Sequence, residues 1–81
     1  MRNEKRRKQL GLKIHCMMVY RGVTIAELAK QTGYSFGSVA AWMSGRRLPT
    51  FDKITDIARA LDCPVNWLDG DAPVFWWEVV R

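Results

Sequence analysis

The sequence predicts an all-α fold of five short helices in a row, followed by a short strand-like C-terminal tail. Three observations carry this prediction. Apolar residues recur at helical spacing in successive stretches, helix-starting and helix-stopping residues bracket those stretches, and the run richest in aromatic and β-branched residues comes only afterwards, at 74–80. With 81 residues, 48% of them hydrophobic and 26% charged, one small core is expected rather than two, and the composition is not that of a disordered chain.

Helix one rests on Leu10, Ile14, Met17 and Met18, which line one face, and on Arg21-Gly22, a stop with a cation for the last carbonyls. The cations ahead of it face the positive end of the helix dipole, so residues 1–9 are expected to form a basic arm, frayed or only loosely helical. Thr24-Ile25-Ala26-Glu27 is a capping box that starts helix two, which runs to about Gln31 and is closed by Gly33. Ser35 offers a new cap only two residues later. Helix three then spans Phe36 to about Ser44, burying Val39, Trp42 and Met43 and turning Gly37, Ala41 and Ser44 outward before Gly45 stops it. Joined so tightly, helices two and three must cross steeply. After the basic connection Arg46-Arg47-Leu48-Pro49, Thr50 is expected to cap helix four, with Phe51, Ile54, Ile57, Ala58 and Leu61 on its apolar side. Pro64 then suits the first turn of a short helix five carrying Val65, Trp67 and Leu68, stopped by Asp69-Gly70. The helical domain is therefore drawn as 10–70, with 71–81 as an aromatic tail.

Charge is distributed unevenly. Residues 1–47 hold ten cations against two anions, whereas residues 48–81 hold three against six, so one half of the molecule is suited to a polyanion. Cys16 and Cys63 lie far apart, lack a C-x-x-C spacing and have only His15 as imidazole company, so neither a zinc site nor a disulfide framework is indicated, and reduced thiols in a cytoplasm fit best. No cofactor is implied. His15, with no second histidine and no carboxylate nearby in sequence, offers no catalytic base, and an enzyme is not expected. The basic start is not followed by a cleavable apolar segment, nor is any apolar run long enough to span a bilayer, so neither export nor a membrane partner is expected.

These residues together resemble the lambda-repressor-like, or Cro-type XRE, family of helix-turn-helix proteins. The match covers about Leu10 to Gly70. It is carried by Arg21-Gly22-Val23-Thr24 into Glu27-Leu28-Ala29, then Thr32-Gly33-Tyr34-Ser35, Val39, Trp42, Ser44-Gly45-Arg46-Arg47-Leu48-Pro49-Thr50, Ile57-Ala58-Arg59-Ala60-Leu61 and Val65-Asn66-Trp67-Leu68. The resemblance implies a five-helix domain whose helix three enters the DNA major groove while the start of helix two rests on the backbone. Three departures stand out. The base-reading places hold Phe36, Gly37, Ser38 and Ala41, none able to form a bidentate pair with a base. A phosphate-binding Gln of the family is replaced by Ile25, leaving Thr24 to meet the phosphate. An Arg–Glu pair of the family is replaced at both ends by Met18 and Met43, an exchange that removes two buried charges together and so leaves neither stranded.

The expected function is sequence-specific DNA binding by a transcription regulator, most simply a phage or prophage repressor of the Cro kind that occupies an operator. Double-stranded DNA is the expected partner. Phosphate contacts are expected from Arg46 and Arg47 and, through the arm, from Arg6 and Arg7; Ser35, Phe36 and Ser38 would meet base edges beside Gly37 and Ala41. Two alternatives are an antitoxin whose tail masks a toxin and a helix-turn-helix module used for protein–protein contact. The tail has two readings. It straps the chain's own core, or Val74, Phe75, Trp76, Trp77 and Val79 pair as a strand with a second copy to give a homodimer.

Overall fold

A computed structural model describes residues 2–70, with side chains from Glu4 onward. The tail residues 74–79, where strand pairing between two copies is expected, lie outside the described residues. Five helices follow in order: α1 Arg2–Arg21, α2 Ile25–Thr32, α3 Phe36–Met43, α4 Phe51–Ala60 and α5 Val65–Leu68. α1 packs against α3 and α5, α2 against α3 and α4, and α4 against α5. The shared interior is built from Leu10, Ile14, Met17 and Met18 of α1, Leu28, Val39, Trp42, Ile54, Ile57, Leu61, Trp67 and Leu68. Met18 is in this core and Met43 packs against it, so both apolar replacements lie where an ion pair would have needed burial.

The N-terminal segment departs from expectation. α1 is helical from Arg2 and there is no frayed arm over residues 2–9. Counting the cations alone leaves out what offsets them. Glu4 stands in the first turn and bridges Lys8 one turn on at 3.0 Å, and that neighbour holds the Glu4 carboxyl below its ordinary range. Tertiary partners complete the effect: Arg6 forks onto Asp69 with bonds of 3.0 and 2.7 Å, and Arg7 donates to the Gly45 carbonyl at 3.2 Å.

Gly11, an unpromising residue for a helix interior, sits where α1 crosses α3. A Cβ there would lie 2.6 Å from the Met43 carbonyl oxygen and 2.8 Å from that of Trp42, so only glycine permits the approach. Two residues on, Lys13 is fully buried; its Nζ donates to the Trp67 carbonyl at 2.8 Å and the Gly70 carbonyl at 2.9 Å and lies 5.4 Å from the Trp67 ring centre. A cation thus closes the carbonyl end of α5. Arg21 behaves alike. Expected to serve the carbonyls of its own helix, it reaches instead to the end of α4, bonding the Leu61 carbonyl at 3.0 Å and the Asp62 carbonyl at 2.8 Å.

α4 brings two corrections. Thr50 occupies the cap position, but its side chain makes no cap hydrogen bond. Phe51, expected on the buried side, is 64% exposed because it opens the helix before the interior closes over Ile54 and Ile57.

Candidate nucleic-acid interface

The turn between α2 and α3 is locally determined. Thr24 accepts from the Glu27 amide at 3.1 Å while Glu27 accepts from the Thr24 amide at 3.0 Å, completing the capping box. Gly33 takes φ +81°, a left-handed conformation that side chains disfavour, and its amide bonds the Ala29 carbonyl. Ser35 then caps α3, accepting from the Ser38 amide at 3.1 Å. What holds the turn to the body is Tyr34. Its ring meets Trp42 edge-on at 5.4 Å, its hydroxyl donates to the Asp56 carboxylate on α4, and Lys53 lies within 5.8 Å of both ring centres. The Asp56 partner pushes the Tyr34 hydroxyl above its ordinary range.

The first turn of α3 is offered to solvent. Ser35, Phe36 and Gly37 are exposed, Phe36 at 58%, and Ser38 is half-buried with its hydroxyl accepting from that of Ser35 at 2.9 Å. Ala41 does not join them. It is 5% exposed, because the chain folds back after α3 and the Arg46 and Arg47 amides both bond the Ala41 carbonyl, at 3.0 and 3.3 Å. Ala41 is therefore not presented on the outer face of α3, where the helical spacing places it. Ser44 remains exposed at the far end of the helix and accepts from Arg46 Nε at 3.1 Å.

The cations divide into two groups. Arg46 and Arg47 are exposed and have no carboxylate partner among the described residues. Arg6 is committed to Asp69 of α5, which raises its already high affinity for the proton. Arg7 is tied to Gly45, where a Cβ would lie 3.2 Å from the Lys8 backbone, so the start of α1 is seated against the connection that follows α3. Arg6 and Arg7 therefore belong to the folded body, not to a free arm, and only Arg7 adjoins Arg46. At the start of α2, the backbone amide and hydroxyl of Thr24 hold the Glu27 carboxyl below its ordinary range, so an anion already occupies that helix end. The Thr24 hydroxyl is thus engaged within the capping box, and the sequence-based phosphate contact at Thr24 would have to displace its bond to the Glu27 carboxylate.

The helix-turn-helix family model matches residues 21–68, more than half of the chain. The chain belongs to the helix-turn-helix family. Among solved structures it is similar to that of the clp gene regulator ClgR from C. glutamicum, with 26% identity, a TM-score of 0.73, and coverage of 76% of this chain and 80% of that one. No curated protein matches the chain significantly. The matched segment omits most of α1, so Gly11, Lys13, Arg6 and Arg7 lie outside it and their roles rest on the geometry above.

Other chemistry finds little support. Among the described residues no group of three or more His, Cys, Asp or Glu side chains is placed to hold a metal ion, and no helix is long and apolar enough to cross a membrane. Cys16 and Cys63 are both half-buried free thiols, and burial pushes Cys63 up to about 11, so it stays protonated and unreactive near neutral pH. Sequence reasoning missed Phe51, which joins Tyr20 and Phe36 as an exposed aromatic; its place at the first turn of a helix, soon after a basic connection, was the available signal.

Proposed function

We propose that this protein is a DNA-binding transcription regulator that acts as a repressor of the Cro kind, occupying an operator and excluding polymerase. The carrying observation is an α3 whose first turn is exposed and whose far end is followed by two exposed arginines that lack a carboxylate partner among the described residues. In this reading Ser35, Phe36 and Ser38 face the major groove, where Phe36 packs on a thymine methyl, and Arg46 and Arg47 neutralise phosphates. Gly37, having no side chain, lets α3 approach closely. With few donors on α3, much of the sequence preference comes from the shape and deformability of the duplex. Two copies related by a two-fold axis would read half-sites about 34 Å apart.

Titrating the full chain with the duplex upstream of its own gene, at several salt concentrations, tests the reading. Each phosphate neutralised should contribute about −0.9 to the log–log slope. A flat salt response, or no complex in dilute buffer, overturns it. Phe36→Ala should narrow the affinity gap between the preferred duplex and a scrambled one. A second reading, protein–protein contact, is favoured by the exposure of Phe36 and Phe51, at 58% and 64%. It would be supported by absence of duplex binding.

A further inference from the structure

The outer side of α1 carries a trough that leads away from the point where the described chain stops. One part, of about 370 Å³, is lined by Lys5, Gln9, Leu10 and Leu68 and by the Arg6–Asp69 pair beside Gly70. The next, of about 450 Å³, is lined by Glu4, Lys5, Lys8, Gln9 and Leu12. Lys5 and Gln9 border both, so the two parts adjoin across this pair, one at Gly70 and the other at Leu12, an apolar side chain left 49% exposed. The exit is fixed in place. The Gly70 carbonyl accepts from buried Lys13 Nζ at 2.9 Å, which binds the last described residue to α1 itself.

We infer that the C-terminal segment 71–81 lies in this trough as a strap across α1 of its own chain. Reach is ample: at roughly 3.3 Å per residue, Val74 lies up to about 13 Å from Gly70 and Val79 up to about 30 Å, while α1, at about 1.5 Å per residue over its 20 residues, is about 30 Å long. The segment brings Val74, Phe75, Trp76, Trp77, Val79 and Val80 to exposed Leu12, and its anions Asp71 and Glu78 suit Lys5, which has no carboxylate partner among the described residues, Lys8 being paired with Glu4. Between the two roles open to the tail, the exit geometry favours the strap over strand pairing with a second copy. A segment tethered beside its site meets it at an effective concentration near the millimolar range, which a second molecule does not match at ordinary protein concentrations. The strap does not depend on DNA binding.

Cross-linking tests it in the full chain. With Cys16→Ser and Cys63→Ser removing the native thiols, Leu12→Cys is combined in turn with Phe75→Cys, Trp77→Cys or Val79→Cys and mildly oxidised. A disulfide within one molecule, seen as a monomer by non-reducing electrophoresis and mass spectrometry, is the expected product for at least one pair. Disulfide-linked dimers would assign the trough to a second copy's tail, and free thiols throughout would leave it unoccupied; either overturns the strap. A second measurement needs no new thiol. Trp42 and Trp67 are buried, so acrylamide quenching of the full chain reports mainly on Trp76 and Trp77. The combined change Leu12→Asp, Lys5→Glu and Lys8→Glu should increase the quenchable share of the emission while helical circular dichroism is kept. An unchanged share counts against the strap.

Discussion

Arg6-Arg7 and Arg46-Arg47 are two adjacent arginine pairs in the same half of the chain, and by composition alone they are equivalent. The fold separates them. Arg6 bridges α1 to α5 through Asp69, and Arg7 fixes the start of α1 to the Gly45 carbonyl. Arg46 and Arg47 follow a helix that has just ended, and their amides, not their guanidinium groups, are drawn inward to Ala41. The side chains of the second pair are therefore left to solvent and to whatever anion approaches. A guanidinium serves stability or recognition according to whether a carboxylate or carbonyl lies within reach, and that depends on residues 38 and 63 positions away.

The largest effect should come from the second pair. Replacing both with alanine, Arg46→Ala with Arg47→Ala, is expected to weaken duplex binding about a hundredfold, since each charge-assisted hydrogen bond to a phosphate is worth about a factor of ten. The log–log salt slope should become shallower by about 1.8. Thermal stability should hardly change, since both side chains are exposed. Anisotropy titrations at several salt concentrations, with a melting curve on the same sample, check both halves. Unaltered affinity would show that this pair is no more a recognition element than the first.

Next comes the crossing that seats the first pair. Gly11→Ala improves helix propensity by about 1 kcal/mol, yet its Cβ would press on two α3 carbonyl oxygens, and a net destabilisation of about 1–3 kcal/mol is expected. For a domain of this size that is a fall in Tm of several degrees per kcal/mol. A rise in Tm would mean that α1 and α3 are not held so closely. Arg6→Ala should cost less, a few tenths to about 1 kcal/mol, because the Arg6 side chain is 50% exposed and solvent screens the bridge. Its salt slope should equal that of the unaltered protein, and a shallower one would return Arg6 to the phosphate-binding group.

The smallest effect concerns the start of α2. The Glu27 carboxyl is held below its ordinary value of 4.5, so its contribution is present above that value and lost as pH falls through the lower, folded one. Melting temperature should decline on acidification below about pH 4.5, and Glu27→Gln, which keeps the shape of the box without the charge, should flatten that part of the profile. An identical profile in the variant would show that the cap does not carry the titration.

Much of this was legible in the residues because it is local. The Thr24–Glu27 box, Gly33 and the Ser35 cap act over three or four positions, and each appears in the fold as its spacing demands. The exposed Ser35-Phe36-Gly37 turn follows from the same short-range pattern. Ala41 was misjudged because the helical wheel considers one helix alone, whereas its cover comes from the chain doubling back at Arg46 and Arg47. Phe51 failed in the opposite sense: the wheel aligned it with Ile54, but the interior does not extend to the first turn of α4.

Periodicity and capping thus determined the helices and their order, since each arises from neighbours along the chain. Only the tertiary structure decided that α1 continues to Arg2, that a lysine can be fully buried at position 13, and that Gly11 marks a crossing. These depend on carbonyl oxygens and carboxylates brought from distant positions. A carbonyl is present on every residue and leaves no mark in a sequence, so such pairings become visible only when the chain is folded.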